Sequence, residues 1–302
     1  MRCANDGRKA VAKISYPTIA LCRDCFNSYV ERRFLDEVRK WKLIEPNEKL
    51  ALALSGGKDS LVALYLIHKF FPENEIIAIA IDEGIGKFRE LSLLQAEKYC
   101  KLWDVDLRKF SFLEEFGFEI RSIARKVRNV CTYCGTLRRY LINKKARELR
   151  AQKVVVGHNL DDEAETILMS SFKSNLMDLL KLGPIAGILD HPKFIPRVKP
   201  LRKLYGKEIE TFARLNGIKV VPKKCPYIKY SYRYGIRRLL NSLEAKEPGT
   251  KFRILEAFDE SFPALKQKIK LEVKLSECKN CGEPSSTSLC RCCQLLRSVK
   301  LK

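Results

Sequence analysis

Apolar and polar positions along the middle of this chain switch repeatedly between strand-like runs and helical periodicity. Residues 50–54, 75–81, 106–110, 153–156 and 197–199 are short apolar or alternating runs and read as strands. Between and after them, residues 59–70, 88–102, 114–127, 135–150, 161–172 and 205–216 carry apolar residues at helical spacing. Alternation of this kind predicts an α/β fold, a parallel sheet with helices on both faces. Ligands of such folds bind at the carboxyl ends of the strands, where Ser55, Asp82, Gly157 and His158 fall. Ahead of the first core strand, residues 26–42 read as an amphipathic helix with Tyr29, Val30, Phe34, Val38 and Trp41 on one side. After the last one, 251–275 is helical, with a break expected near Pro263. Four parts follow: an N-terminal cysteine module plus helix (1–46), the α/β domain (47–245), a helical extension (246–275) and a C-terminal cysteine module (276–302).

The turn after the first core strand reads Ser55-Gly56-Gly57-Lys58-Asp59-Ser60. Two glycines let the backbone turn sharply and approach a ligand closely. Amides at the start of the next helix then face an anion, which the helix dipole favours. Ser55 and Ser60 offer hydroxyl donors and Lys58 a point charge, so the segment reads as a phosphate cradle. Its spacing is not that of a Walker A loop.

Composition sharpens this picture. The 302 residues are 46% hydrophobic, enough for a large core, yet no apolar run approaches membrane-spanning length. The N-terminus lacks the apolar stretch of a signal peptide, so a cytoplasmic protein without a membrane partner is expected. Lys and Arg total 58 against 36 Asp and Glu, a net charge of +22. The excess is clustered in 121–128, 138–150 and 233–238, which points to a polyanionic partner, nucleic acid first.

The twelve cysteines sit in four places. Cys278, Cys281, Cys290 and Cys293 form a CxxC…CxxC pattern suited to tetrahedral zinc, with Cys292 a spare. That module is too small for a core, so metal would supply its folding energy. At the N-terminus Cys22 and Cys25 form a clean pair, but their partner half has Cys3 and then Asp6. Either Asp6 is the fourth ligand or packing alone holds the module. Cys131 and Cys134 lie inside the α/β domain, and Cys225 is the nearest unassigned cysteine. Three cysteines suit an iron-sulfur cluster with one iron open. One cysteine carrying a persulfide and a second resolving it is the alternative, and structural cysteines are a third. Arg128, Arg138 and Lys224 flank them and would favour thiolates.

The hexapeptide resembles the SGGxDS signature of PP-loop ATP pyrophosphatases. Together with Asp82-Glu83-Gly84, the Cys131/Cys134 pair, Gly157-His158-Asn159-Leu160-Asp161-Asp162-Glu163, Cys225-Pro226 and Pro248-Gly249-Thr250-Lys251-Phe252, it resembles the tRNA 2-thiouridine synthetases over nearly the whole chain. The resemblance implies an adenine-nucleotide α-hydrolase-like domain flanked by two zinc modules. ATP adenylates the carbon-2 carbonyl of a tRNA uridine, and sulfur displaces AMP. Implied cofactors are ATP, Mg2+, Zn2+ and an iron-sulfur cluster of the 4Fe-4S type on Cys131, Cys134 and Cys225. Implied partners are tRNA, a sulfur donor (a ubiquitin-like thiocarboxylate carrier or free sulfide) and a second copy in a homodimer. Asp161 could orient the base or magnesium, and Asp59 could help hold the metal; both could instead be helix N-caps. Asp82, Gly84 and His158 would lie beside the nucleotide. Arg233, Arg237, Arg238 and Lys251 are candidate phosphate contacts, or else a solvated basic face. The chain departs from the family at Asp6 and at Arg138, where the family has lysine. Other PP-loop enzymes, such as lysidine synthetases or amide-forming ligases, need no cysteine triad, and a non-catalytic RNA-binding protein needs no phosphate loop.

Overall fold

The chain opens with a hairpin, β1 (Ala12–Ile14) and β2 (Ile19–Leu21), that feeds into α1 (Arg23–Trp41). The computed structural model describes residues 1–174, 179–186, 191–220, 225–268 and 275–300. α1 presents Phe26, Val30, Phe34 and Val38 inward, all 3% exposed or less. They join the core that contains Leu50, Leu52, Leu61 and Leu64. The N-terminal 46 residues therefore share a core with the α/β domain rather than packing as a separate body.

The elements that follow are β3 (Lys49–Ala53), α2 (Lys58–Phe70), β4 (Glu75–Asp82), α3 (Lys87–Leu102) and β5 (Asp106–Ser111). Next come α4 (Phe112–Phe116), α5 (Ile120–Ile123), α6 (Val130–Glu148), β6 (Lys153–Val155) and α7 (Leu160–Phe172). β7 (Ile185–Ala186), β8 (Arg197–Val198) and α8 (Gly206–Leu215) complete the sheet layer. The strand order is β5-β4-β3-β6-β8-β7. The first five strands of that order pair in parallel, and β7 closes the edge antiparallel to β8. Connections run from β3 outward to β5 and then return across β3 to β6. In folds of this topology the ligand crevice lies at that reversal, beyond the strand ends.

Two expected helices differ. The 114–127 helix is instead α4 and α5, because Gly117 takes φ +79° and ends the first. The break lets Phe112, Ile120 and Ile123 all reach the core under the sheet. The 135–150 helix begins earlier, at Val130, with Asn129 as its cap, accepting from the Thr132 amide. That puts Cys131 and Cys134 on its opening turns rather than in a linker.

After a 3-10 turn at Ile228–Tyr230, α9 (Tyr232–Lys246) and α10 (Thr250–Lys268) pack on α7. α10 runs through Pro263 without the expected break. β9 (Ser276–Glu277), β10 (Pro284–Ser285) and α11 (Arg291–Lys300) form the C-terminal module. It docks on α6, where Tyr133 Oη and Ser298 Oγ lie 2.9 Å apart. Among the described residues no helix is long and apolar enough to cross a membrane.

Candidate active site

The phosphate loop is wound tightly by its own side chains. Gly56 takes φ +75°, and a methyl group there would lie 1.8 Å from the Ser92 carbonyl oxygen of α3. Ser55 Oγ accepts from the Gly57 amide at 3.2 Å, and the Ser60 hydroxyl donates to the Gly57 carbonyl at 3.0 Å. The Ser55 amide donates to Ser60 Oγ at 3.1 Å. The two serines, expected as ligand donors, thus brace the loop. The N-cap of α2 is Gly57, so Asp59 is not a cap.

Across the crevice the β6–α7 turn meets the first turn of α2. A methyl group on Gly157 would lie 2.8 Å from the Asp59 carbonyl carbon and the Ser60 nitrogen. Glycine here permits the contact of the two helix starts. Asn159 caps α7 in a capping box with Asp162 and reaches over to donate to Asp59 Oδ1 at 2.9 Å. Lys58 Nζ sits 2.6 Å from the same oxygen. Burial pushes the Asp59 carboxyl above its usual range, against the pull of Lys58.

Asp161 is also not a cap. Its Oδ2 accepts from the Gly206 amide at 2.7 Å, and its Oδ1 pairs with Lys251 Nζ. Burial alone would raise this carboxyl, but the Lys251 ammonium outweighs it and holds the group below its ordinary value. Asp161 therefore docks α10 and α8 onto the site, with both oxygens engaged. Lys251 is 5% exposed and also donates to Asn241 at 2.6 Å. It is not the surface phosphate contact expected of it.

A buried carboxylate absent from the expected set joins the loop to the cysteines. Glu83, 1% exposed, lies 2.8 Å from Arg89 Nε through Oε2 and 3.2 Å from an Arg138 amino nitrogen through Oε1. Arg89, 5% exposed, donates to the Ser55 carbonyl at 2.7 Å and to the Ile81 carbonyl at 2.6 Å. Arg138 lies one turn beyond Cys134 on α6. The sequence signal was present in Asp82-Glu83-Gly84, but nothing in it showed that Glu83 points inward. Asp82 Oδ1 accepts from the Gly84 amide at 2.9 Å. Gly84, at φ +65°, packs on Glu119. Both shape this turn.

Cys225 returns to face Cys131 and Cys134, and Cys131 Sγ lies 3.6 Å from the Tyr227 carbonyl oxygen. Burial raises all three thiols, Cys134 to about 12, with Arg138 pulling the other way. Among the described residues Arg138 is the expected cation that acts on these thiols; Lys224 lies outside them. Cys100 is buried in the core on the α1 side of the sheet, so the triad has no fourth cysteine. Three soft thiol donors fit a cluster that leaves one iron without a protein ligand.

The crevice is cationic. Arg139 is lowered to about 10 by crowding protein atoms and then by Arg197, Arg138 and Arg233. His158 opens to solvent there. The surrounding protein, with Lys199, lowers its imidazole, so it is neutral. Arg139 and Arg197 were missed in the sequence because neither stands in a motif. Arg233 and Arg237 turn inward onto the buried Glu165, at 3.2 and 2.5 Å. Of the four expected phosphate contacts, Arg238 is the exposed one.

The terminal cysteines also converge. Donor atoms of Cys278, Cys281, Cys290 and Cys293 lie within 4.8 Å of one another, as do those of Cys3, Asp6, Cys22 and Cys25. Cys281 and Cys290 sulfurs are 3.6 Å apart, near the roughly 3.8 Å edge of a zinc–thiolate tetrahedron. Asp6 Oδ2 lies 3.2 and 3.3 Å from Cys22 and Cys25. It completes the N-terminal set, and Arg8 pairs with it at 2.7 Å.

Comparison with known proteins agrees with this geometry. A PP-loop domain model matches residues 27–242. The chain is 35% identical to the tRNA-5-methyluridine(54) 2-sulfurtransferase of Pyrococcus horikoshii, over 97% of this chain and 93% of that one. It is 33% identical to the tRNA 2-thiolation protein NcsA of Haloferax volcanii, over 99% of each. The solved U34-tRNA thiolase NcsA from Methanococcus maripaludis, with its [4Fe-4S] cluster, superposes with a TM-score of 0.85. It is 30% identical, over 99% of this chain and 96% of that one.

Proposed function

This chain belongs to the PP-loop family of tRNA 2-thiolation proteins, and we propose that it replaces the carbon-2 oxygen of a tRNA uridine with sulfur at the expense of ATP. The reading rests on Glu83, which pairs with Arg89, bound to the Ser55 carbonyl of the phosphate loop, and with Arg138, the cation nearest the cysteine triad.

A uridine carbonyl oxygen is a poor leaving group until it is phosphorylated. Its carbon-2 oxygen attacks the α-phosphorus of ATP, an oxygen–phosphorus bond forms, and pyrophosphate leaves. Sulfur then bonds to carbon 2, the bond from carbon 2 to the AMP oxygen breaks, and AMP departs. Amides at the start of α2 and Lys58 receive the β- and γ-phosphates. Lys58 and Asn159 engage Oδ1 of Asp59, and Oδ2 would hold magnesium. Arg138, Arg139 and Arg197, which lie close enough to interact with one another, would neutralise charge developing on the α-phosphate. Cys131, Cys134 and Cys225 would hold an iron-sulfur cluster, which supplies an open iron able to carry an exogenous sulfur atom. The two terminal sites would hold zinc, the N-terminal one through Asp6. The sulfur donor, a thiocarboxylate carrier or sulfide, and pairing into a homodimer belong to the same proposal.

The test is nucleoside mass spectrometry of tRNA incubated with anaerobically prepared protein, ATP and sulfide. Formation of 2-thiouridine, lost in Cys225→Ser together with the broad visible absorption of the cluster, is the expected result. Mapping the product separates position 34 from position 54. ATP turnover into a lysidine or an amide instead, undiminished in Cys225→Ser, would transfer the chain to another PP-loop chemistry.

A further inference from the structure

The segment after Cys225 carries four tyrosines, of which Tyr227 packs against the core while Tyr230 and Tyr232 stand exposed. Residues 227–234 place Tyr227, Tyr230, Tyr232 and Tyr234 among Lys229 and Arg233. The segment borders the cysteine site through the contact of the Tyr227 carbonyl with Cys131. Tyr230 is 78% exposed and Tyr232 45%. Lys173 Nζ, just past the end of α7, sits 5.0 Å from the centre of the Tyr232 ring. A lone exposed ring needs no explanation. Two exposed rings two residues apart, with Lys173 over one of them and Lys229 and Arg233 beside them in the chain, form a platform for a partner that is both planar and anionic.

We propose that Tyr230 and Tyr232 are a stacking platform for unpaired tRNA bases beside the target uridine, with Lys173, Lys229 and Arg238 receiving the flanking phosphates. The proposal rests on the tRNA-thiolation reading and deepens it. The uridine must leave its stack to reach the crevice, and its neighbours then need surfaces to replace the lost stacking. The arginines first expected to grip RNA, Arg233 and Arg237, are turned inward onto Glu165, so the face offers rings and the outer cations instead. A second copy of the chain is a poorer occupant. Residues 229–238 hold four basic residues and no acidic one, and a two-fold contact would set like charges against like.

The test is anisotropy of a labelled unmodified tRNA transcript bound to full-length protein, across a salt series. Tyr230→Ala and Tyr232→Ala each weaken binding roughly tenfold, with the slope of log affinity against log salt unchanged. Tyr230→Phe binds like the parent. Arg238→Ala instead lowers the slope by about 1. Melting curves of the variants match the parent, since these rings are exposed. Tyrosine variants that bind as tightly as the parent overturn the platform alone. A parent protein that binds the transcript no better than duplex DNA overturns the platform and the tRNA reading together. A tyrosine variant that turns a dimer into a monomer in light scattering assigns the face to a second copy.

Discussion

Gly56→Ala puts the phosphate loop under a strain that can be worked out from the structure. The backbone there is at φ +75°, where an L side chain costs about 1–2 kcal/mol. The new methyl would also lie 1.8 Å from the Ser92 carbonyl oxygen and 2.6 Å from its carbon. Ordinary contact distances are about 3.5–4.0 Å, so α3 or the loop must shift by more than an ångström. Overpacking of this kind costs about 1–3 kcal/mol more. The total, about 2–5 kcal/mol, is a large part of a typical 5–15 kcal/mol stability. It can surface as lost stability or, if the loop swings off α3, as lost ATP affinity. Gly217→Ala is the control, since Gly217 has φ +71° and open space around a methyl. Urea unfolding and equilibrium ATP binding are measured on both variants, and the two losses are summed for each. The sum for Gly56→Ala exceeds that for Gly217→Ala by about 1–3 kcal/mol. Equal sums would show that the contact with Ser92 does not constrain the loop.

The other expectations concern buried charge and metal. Glu83→Gln strands the Arg89 charge and lowers stability by roughly 3 kcal/mol, while Glu119→Gln, on an exposed pair, changes it little; denaturant midpoints decide. Arg202, fully buried against Asp259 at 2.7 Å and Glu37 at 3.2 Å, leaves unpaired carboxylates when replaced by alanine, a loss of about 3–5 kcal/mol in the same assay. Asp161 has a folded pKa below its unfolded value of about 3.9. Its contribution is therefore complete above that pH and disappears as pH falls through the folded value. Asp161→Asn flattens the acid limb of the stability curve below about pH 4, and an unchanged limb would place the acid sensitivity elsewhere. Asp6→Ala drops zinc from two per chain to one by metal analysis, whereas retention of both would leave Cys3, Cys22 and Cys25 sufficient.

Much of the architecture is legible in the order of residues. The central strands β3, β4 and β6 are short apolar runs, the burial pattern of a parallel sheet covered on both faces, and the phosphate loop is one continuous stretch of sequence. Metal sites built from CxxC pairs are legible for the same reason. The departures fall where local preference is overruled by packing. Gly117 divides a helix that periodicity alone would continue, and the short antiparallel β7 exists only because β8 offers an edge.

Residue order alone carries the chemistry available and the succession of elements: the Ser55–Ser60 turn, the cysteine sets and the alternation of strand and helix. Tertiary structure decided which groups remain free to use that chemistry. Glu83, Lys251, Arg233 and Arg237 look alike in the sequence as charged residues, yet all four are engaged in internal ion pairs. Tyr230 and Tyr232 look like core residues, yet their rings stand in solvent. The physical reason is that a charge taken out of water must find a partner, and such partners come from segments far apart in the chain. Asp161 and Lys251 are 90 residues apart, and Glu83 and Arg138 are 55 apart. No local pattern records that pairing; folding alone brings the groups within reach.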